Sequence, residues 1–154
     1  MNNEAGNDSL VGNTPTRFSA CLLFSANALA RATTAIGDAA FSRFGLSYSH
    51  AYLLSEVAAM PGATPSYLSQ QLYLTPSTVT RLIEKLEQKG LVTRRPDGKN
   101  TLVYVTDAGQ ALVPAITDAW QQNWETFKGL LGNEEALKLT EQVFKAADAM
   151  GGKS

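Results

Sequence analysis

Two threonine-proline pairs, Thr64-Pro65 and Thr75-Pro76, stand eleven residues apart, and each opens a short run of mixed polar and apolar residues. Threonine is a good helix N-cap, and proline costs nothing at the first helical position, where its missing N–H would have had no partner. The pairs predict short helices over Ser66 to Leu72 and Ser77 to Lys89, with only Tyr73 and Leu74 between the first helix and the second cap. Gly90 suits the left-handed residue that ends the second helix. The apolar period then changes. Leu91 to Arg95, Pro96 to Asn100 and Thr101 to Val105 read as strand, turn and strand, with Asp97-Gly98 as the hairpin cue.

The flanks are helical. Phe18, Leu22, Leu29, Ile36, Ala40 and Phe44 recur at helical spacing without proline, predicting one long helix from Thr16 to Phe44 that breaks at Gly45, with Gly37 as a weak point. Ser47 or Ser49 can cap a second helix through Tyr52, Leu53, Val57 and Met60, which Pro61-Gly62 ends. After the hairpin, Thr106 caps a long helix carrying Ala108, Leu112, Ile116, Ala119, Trp120, Phe127 and Leu131. Pro114 predicts a kink there, or a regular part confined to the residues after it. Gly132-Asn133 stops that helix, and a last one runs from Glu134 to Met150 with Leu137, Val143, Phe144 and Ala147 on its apolar face.

The expected fold is mostly α with a small β-hairpin wing: a winged helix-turn-helix with N- and C-terminal dimerisation helices. The expected organisation is a disordered polar tail over 1–15, an N-terminal dimerisation helix over 16–45, the DNA-binding domain over 46–106 and C-terminal dimerisation helices over 107–150.

A net charge of -1 argues by itself against nucleic acid, but the charge is uneven. Between Thr64 and Thr106, six cations (Arg81, Lys85, Lys89, Arg94, Arg95, Lys99) face three acids (Glu84, Glu87, Asp97), a local +3, and the rest of the chain carries -4. Local positive charge is what phosphate contact requires. One cysteine and one histidine leave no material for a disulfide framework or a metal site built on those residues. No catalytic constellation assembles: there is no Ser-His-Asp set, no phosphate-binding glycine loop and no paired acids, so neither an enzyme nor a cofactor is expected. No apolar run approaches the roughly 18 residues that span a bilayer. The N-terminus lacks the basic start and apolar stretch of a secretory signal, so a cytoplasmic, nucleoid-associated protein is expected.

On the second short helix, Val79, Ile83 and Leu86 share one face with Leu82 flanking it. Ser77 and Arg81 lie opposite, with Thr78, Thr80 and Lys85 at the edges. Small hydroxyls at the helix start and cations one and two turns on suit entry into a major groove, where arginine reads guanine O6 and N7. The bland reading is a capped amphipathic helix with a solvated face. The hairpin favours the sharper one, because Arg94 and Arg95 at its base and Lys99 at its tip stand where a wing meets the backbone.

Leu74 to Arg95 (LTPSTVTRLIEKLEQKGLVTRR) and Val103 to Leu112 (VYVTDAGQAL) make the sequence resemble the multiple-antibiotic-resistance-regulator (MarR) family over roughly Arg17 to Met150. That resemblance implies a homodimeric transcriptional regulator, read here as a repressor, on a near-palindromic operator in double-stranded DNA. Its terminal helices would form the dimer interface. Ser77, Thr78, Thr80 and Arg81 would fall on groove-facing positions, and Arg94 on the strand leading into the wing. Two features depart from the family's pattern. The wing Pro96-Asp97-Gly98-Lys99-Asn100 lacks the family's Asp-x-Arg-Arg, and Tyr73 stands in a turn where a small residue is frequent. Lys99 could supply charge there, but not the arginine fork.

The family often responds to small aromatic or phenolic ligands, which makes Tyr48, His50, Tyr52, Trp120 and Trp124 candidate pocket residues; plain packing is the simpler role for aromatics. Some relatives sense peroxides through a cysteine in the first helix. Cys21 would be that residue here, although it stands about two residues out of register; the simpler expectation is a buried structural thiol. A winged-helix module that binds protein instead of DNA is the alternative class. It would more often expose apolar residues along Ser77 to Lys85.

Overall fold

The computed structural model describes residues 16–151, so the tail expected over 1–15 lies outside the described residues. The chain divides into two compact units, Met1–Ala35 and Ile36–Ser154.

In the first unit, the helix expected from Thr16 begins later. A turn occupies the residues before α1 (Leu22–Phe41). Thr16 Oγ1 accepts the Phe18 N–H at 3.0 Å, and the carbonyls of Thr16 and Phe18 accept from the Ser19 and Cys21 N–H groups at 3.0 and 2.8 Å. Ser25 Oγ donates to the Ser19 carbonyl at 3.1 Å. Hydroxyl side chains competing for backbone groups delay the regular ladder here. Phe18, Leu22 and Leu23 are exposed.

The second unit takes over α1 at Ile36. A 3-10 turn (Ser42–Phe44) ends at left-handed Gly45, φ 66°. α2 (Tyr48–Ala59) is opened by Ser47, whose side chain and that of His50 form a reciprocal capping box. α3 (Pro65–Leu72) and α4 (Pro76–Gln88) start as their threonine-proline pairs predict, with Thr64 Oγ1 accepting from the Tyr67 N–H and Thr75 Oγ1 from the Thr78 N–H. β1 (Val92–Asp97) and β2 (Asn100–Val105) pair antiparallel, Val92 opposite Val105 and Asp97 opposite Asn100. The turn is therefore tighter than expected. Pro96 lies within the strand, and only Gly98 (φ 58°) and Lys99 form the loop.

The sheet also gains a third contact that periodicity did not reveal. Ala63, between α2 and α3, bridges to Val103, and the Gly62 N–H donates to the Val103 carbonyl at 2.9 Å. α5 (Asp107–Leu131), capped by Thr106, runs unbroken through Pro114, so its regular part is not confined to later residues. The Gln110 carbonyl loses its usual donor, and the rest of the ladder holds. α6 (Asn133–Ala149) follows Gly132.

One core joins these elements: Phe41, Leu53, Leu54, Val57, Leu68, Val79, Ile83, Leu86, Val92, Val103 and Ile116 are fully buried or nearly so. Burying each such side chain contributes about 1.5–3 kcal/mol. α4 donates Val79, Leu82, Ile83 and Leu86 to that core, which fixes its other face outward. Among the described residues no helix is long and apolar enough to cross a membrane.

Candidate nucleic-acid interface

The face of α4 turned away from the core is the polar one. Ser77, Thr80, Arg81, Glu84 and Lys85 are exposed and Thr78 is half-buried. The helix start is an ordered hydroxyl cluster. Thr75 Oγ1 lies 2.9 Å from Thr78 Oγ1 and 3.3 Å from Ser77 Oγ, and Thr80 Oγ1 donates to the Pro76 carbonyl at 3.0 Å. Each hydroxyl still has spare hydrogen-bonding capacity, because an O–H can donate once and accept twice. Arg81, Lys85 and Lys99 form no ion pair among the described residues.

The turn that presents α4 is held by Ser69. Its buried hydroxyl donates to the Leu74 carbonyl at 2.6 Å, and the Leu74 N–H donates back to the Ser69 carbonyl at 3.1 Å. Between them Tyr73 takes φ 54°, the only positive φ outside glycine among the described residues. A side chain in that region is strained. Its ring meets Phe144 edge-on at 5.7 Å, and its hydroxyl donates to Asp148 Oδ1 at 2.8 Å, both on α6.

The two arginines at the wing base are less free than the sequence suggests. Arg94 Nε and Nη2 both donate to Glu87 Oε2, at 3.0 and 2.6 Å. That bond holds the Glu87 carboxyl below its ordinary range and pushes the guanidinium further up. Arg95 lies over the Tyr104 ring, 4.9 Å from its centroid. Cation–π contact leaves its charge intact, whereas the Arg94 charge is cancelled. In the sequence Glu87 counts only as one of three acids; its partner seven residues on is fixed by the turn at Gly90.

Of the candidate pocket residues, the structure brings three together. Tyr52 stacks on Trp120 (centroids 4.2 Å, 29° apart) and meets Tyr48 edge-on at 6.0 Å; Phe41 packs on the other side of the cluster, 4.3 Å from Trp120. His50 is occupied in the α2 cap, its Nδ1 2.7 Å from Ser47 Oγ. Trp124 lies elsewhere, in an open depression on α5 with Asp118, Gln121, Gln122 and Glu125. These five residues therefore do not form one cleft. Cys21 also departs from expectation: the thiol is exposed, in the turn before α1, and not a buried structural group. Among the described residues, no three His, Cys, Asp or Glu side chains converge as a metal site would need.

The MarR family's profile matches residues 44–100, the segment from the end of the 3-10 turn to the wing tip. An uncharacterized HTH-type transcriptional regulator of Bacillus cereus is 25% identical over 104 residues, covering 67% of this chain and 71% of its own. Two solved structures share the fold. PcaV of Streptomyces coelicolor, a transcriptional regulator in complex with its natural ligand, superposes with a TM-score of 0.78 at 20% identity, over 90% of this chain and 99% of that one. The MepR–DNA complex of Staphylococcus aureus gives 0.73 at 21% identity, over 84% and 97%.

Proposed function

We propose that this chain is a transcriptional regulator of the MarR family, and that it represses transcription by binding a near-palindromic operator in double-stranded DNA as a homodimer. The observation that carries this reading is the outward face of α4. Its apolar residues are spent on the core, and Ser77, Thr80, Arg81 and Lys85 are left exposed along one side. A protein-binding module would put apolar side chains there. Arg81 supplies the base-reading fork, while Thr78 and the neighbouring hydroxyls allow close approach. Lys85, Arg95 and Lys99 supply charge to phosphates.

Dimerisation is supported by apolar side chains left in solvent: Phe18, Leu22 and Leu23 in the first unit, and Leu130, Leu137, Val143 and Phe144 in α5 and α6. Apolar surface on that scale asks for a cover. A small aromatic or phenolic ligand would release the DNA. Tyr52, 48% exposed and stacked on Trp120, offers the ring face such a ligand would join. A second reading, peroxide sensing through Cys21, draws on the exposure of that thiol. DNA binding that is lost on peroxide treatment in the native chain and retained in Cys21→Ser would support it; equal loss in both rejects it.

The deciding experiment is selection of bound fragments from random duplex DNA by the purified protein. A recovered palindrome with salt-sensitive affinity is expected. No salt-sensitive affinity for any duplex overturns the reading.

A further inference from the structure

The contact between Glu87 and Arg94 bears on how strongly this chain can hold DNA. It ties the last turn of α4 to β1 across the turn at Gly90. The hairpin base is already anchored without it. Val92 and Val103 are buried, the Leu91 N–H donates to the Leu86 carbonyl at 2.9 Å, and the Thr106 N–H donates to the Leu91 carbonyl at 3.0 Å. What the ion pair changes is therefore charge more than position. Arg95, the next residue on the strand, keeps its net charge over Tyr104, so the two neighbouring arginines differ in kind.

We propose that Glu87 is an affinity-setting residue: by cancelling the charge of Arg94 beside the wing, it makes each subunit meet the phosphate backbone with one cation fewer than its sequence displays. This rests on the DNA-binding reading above. Phosphate contacts carry no sequence information, so the pair lowers affinity for operator and random duplex alike. A protein held loosely in this way is released by smaller perturbations. Both side chains are partly exposed, 38% and 36%, so the pair is of the modest surface kind and its effect is a tuning one.

A double-mutant cycle tests it, with fluorescence anisotropy on a random-sequence duplex and on the selected operator over a range of salt. Glu87→Gln removes the cancelling charge and leaves an amide oxygen that can still accept from Arg94, so charge is separated from position. Its affinity should rise about two- to fivefold on both duplexes, the size of a surface pair's coupling. Its salt slope should steepen by about 0.9 per subunit, one more phosphate neutralised. Arg94→Gln alone leaves the Glu87 charge uncancelled and should weaken binding on both duplexes, and the double variant should return to about the native value. If Arg94→Gln costs no affinity in the Glu87→Gln background, Arg94 does not reach the phosphates even when freed, and the inference is overturned. If Glu87→Gln binds no tighter than the native chain, it is likewise overturned, and the regulator reading survives. A native chain with no salt-sensitive affinity overturns both.

Discussion

The Tyr73 hydroxyl reaches across the fold to Asp148 Oδ1, 2.8 Å away, so the elbow between α3 and α4 is tied to the last turn of α6. Tyr73 is held in a left-handed conformation while it does so. Burial and then the hydrogen bond to Asp148 push its phenol above the ordinary value of 10.0. Asp148→Ala should move the Tyr73 titration back toward that value, read by tyrosinate absorbance against a Tyr73→Phe control. Tyr73→Gly removes the conformational strain and the tether together. It should destabilise the elbow less than Asn or Ala placed at the same position, because only glycine takes this φ freely. Amide hydrogen exchange of Leu74 and Thr75 reads that order directly.

His50 gives the fold a pH dependence of definite sign. Burial, then the charges of Lys85 and Lys89, hold its imidazole below the ordinary 6.5, with Asp38 opposing. Its Nδ1 accepts from the Ser47 N–H at 3.3 Å, a role that protonation abolishes. The unfolded chain therefore binds more protons below pH 6.5, and stability rises with pH in that window. The contribution is present above the unfolded value and is lost as pH falls through the folded one. Thermal melting from pH 7.5 to 5 should show Tm falling in the native chain. In His50→Gln, which keeps an acceptor at the third position of the capping box, that part of the slope should disappear.

Gly109, in the first turn of α5, is required by space. A Cβ there would lie 2.1 Å from the backbone carbonyl oxygen of Leu91, which also accepts the Thr106 N–H. Backbone on that side cannot yield cheaply. Gly109→Ala should cost about 1–3 kcal/mol as an overpacking substitution despite alanine's higher helix propensity. Urea denaturation should show the midpoint falling at constant m. An unchanged midpoint would mean that α5 and the start of β1 part easily.

The exposed apolar residues of α5 and α6 make a prediction about assembly. Leu130 and Leu137 are 68% and 54% exposed, more than a lone subunit gains from leaving open. Sedimentation should give twice the 16.5 kDa of one chain. Leu130→Asp with Leu137→Asp should shift it toward the single-chain mass while far-UV circular dichroism is retained. A native chain of single mass would remove the dimer from the proposed function.

What the sequence displayed was local. Thr64-Pro65 and Thr75-Pro76 mark helix starts because cap and proline act within one turn, and Asp97-Gly98 marks the hairpin for the same reason. The apolar stripe of α4 revealed which face stays outward, because Val79, Ile83 and Leu86 leave it no choice. Contacts set by the fold were hidden. Gly109 sits in a stretch that resembles the family, but its reason is the Leu91 carbonyl, eighteen residues back in the chain. The bridge of Ala63 to Val103 has no periodic signal. Arg94 looked like a free cation because a charge count cannot show which acid reaches it. Cys21 was expected to be a buried thiol early in the first helix, but that helix starts only at Leu22, because Thr16 Oγ1 captures the Phe18 N–H and Ser25 Oγ donates to the Ser19 carbonyl.

Arg81 and Lys99 separate base reading from charge. Arg81 is exposed near the middle of α4's outward side, and Lys99 is at the tip of the two-residue wing loop; neither is held in an ion pair among the described residues. If Arg81 forks onto a guanine, Arg81→Ala should cost about 1–3 kcal/mol on the operator and relax preference at one position in each half-site. Its effect on random duplex should be smaller. Lys99→Ala should weaken binding to all sequences alike and reduce the salt slope by about one per subunit. Equal losses on operator and random duplex for Arg81→Ala would make it a phosphate contact, and base reading would then fall to Ser77, Thr78 and Thr80. If neither substitution changes binding, α4 does not lie in the groove with this face.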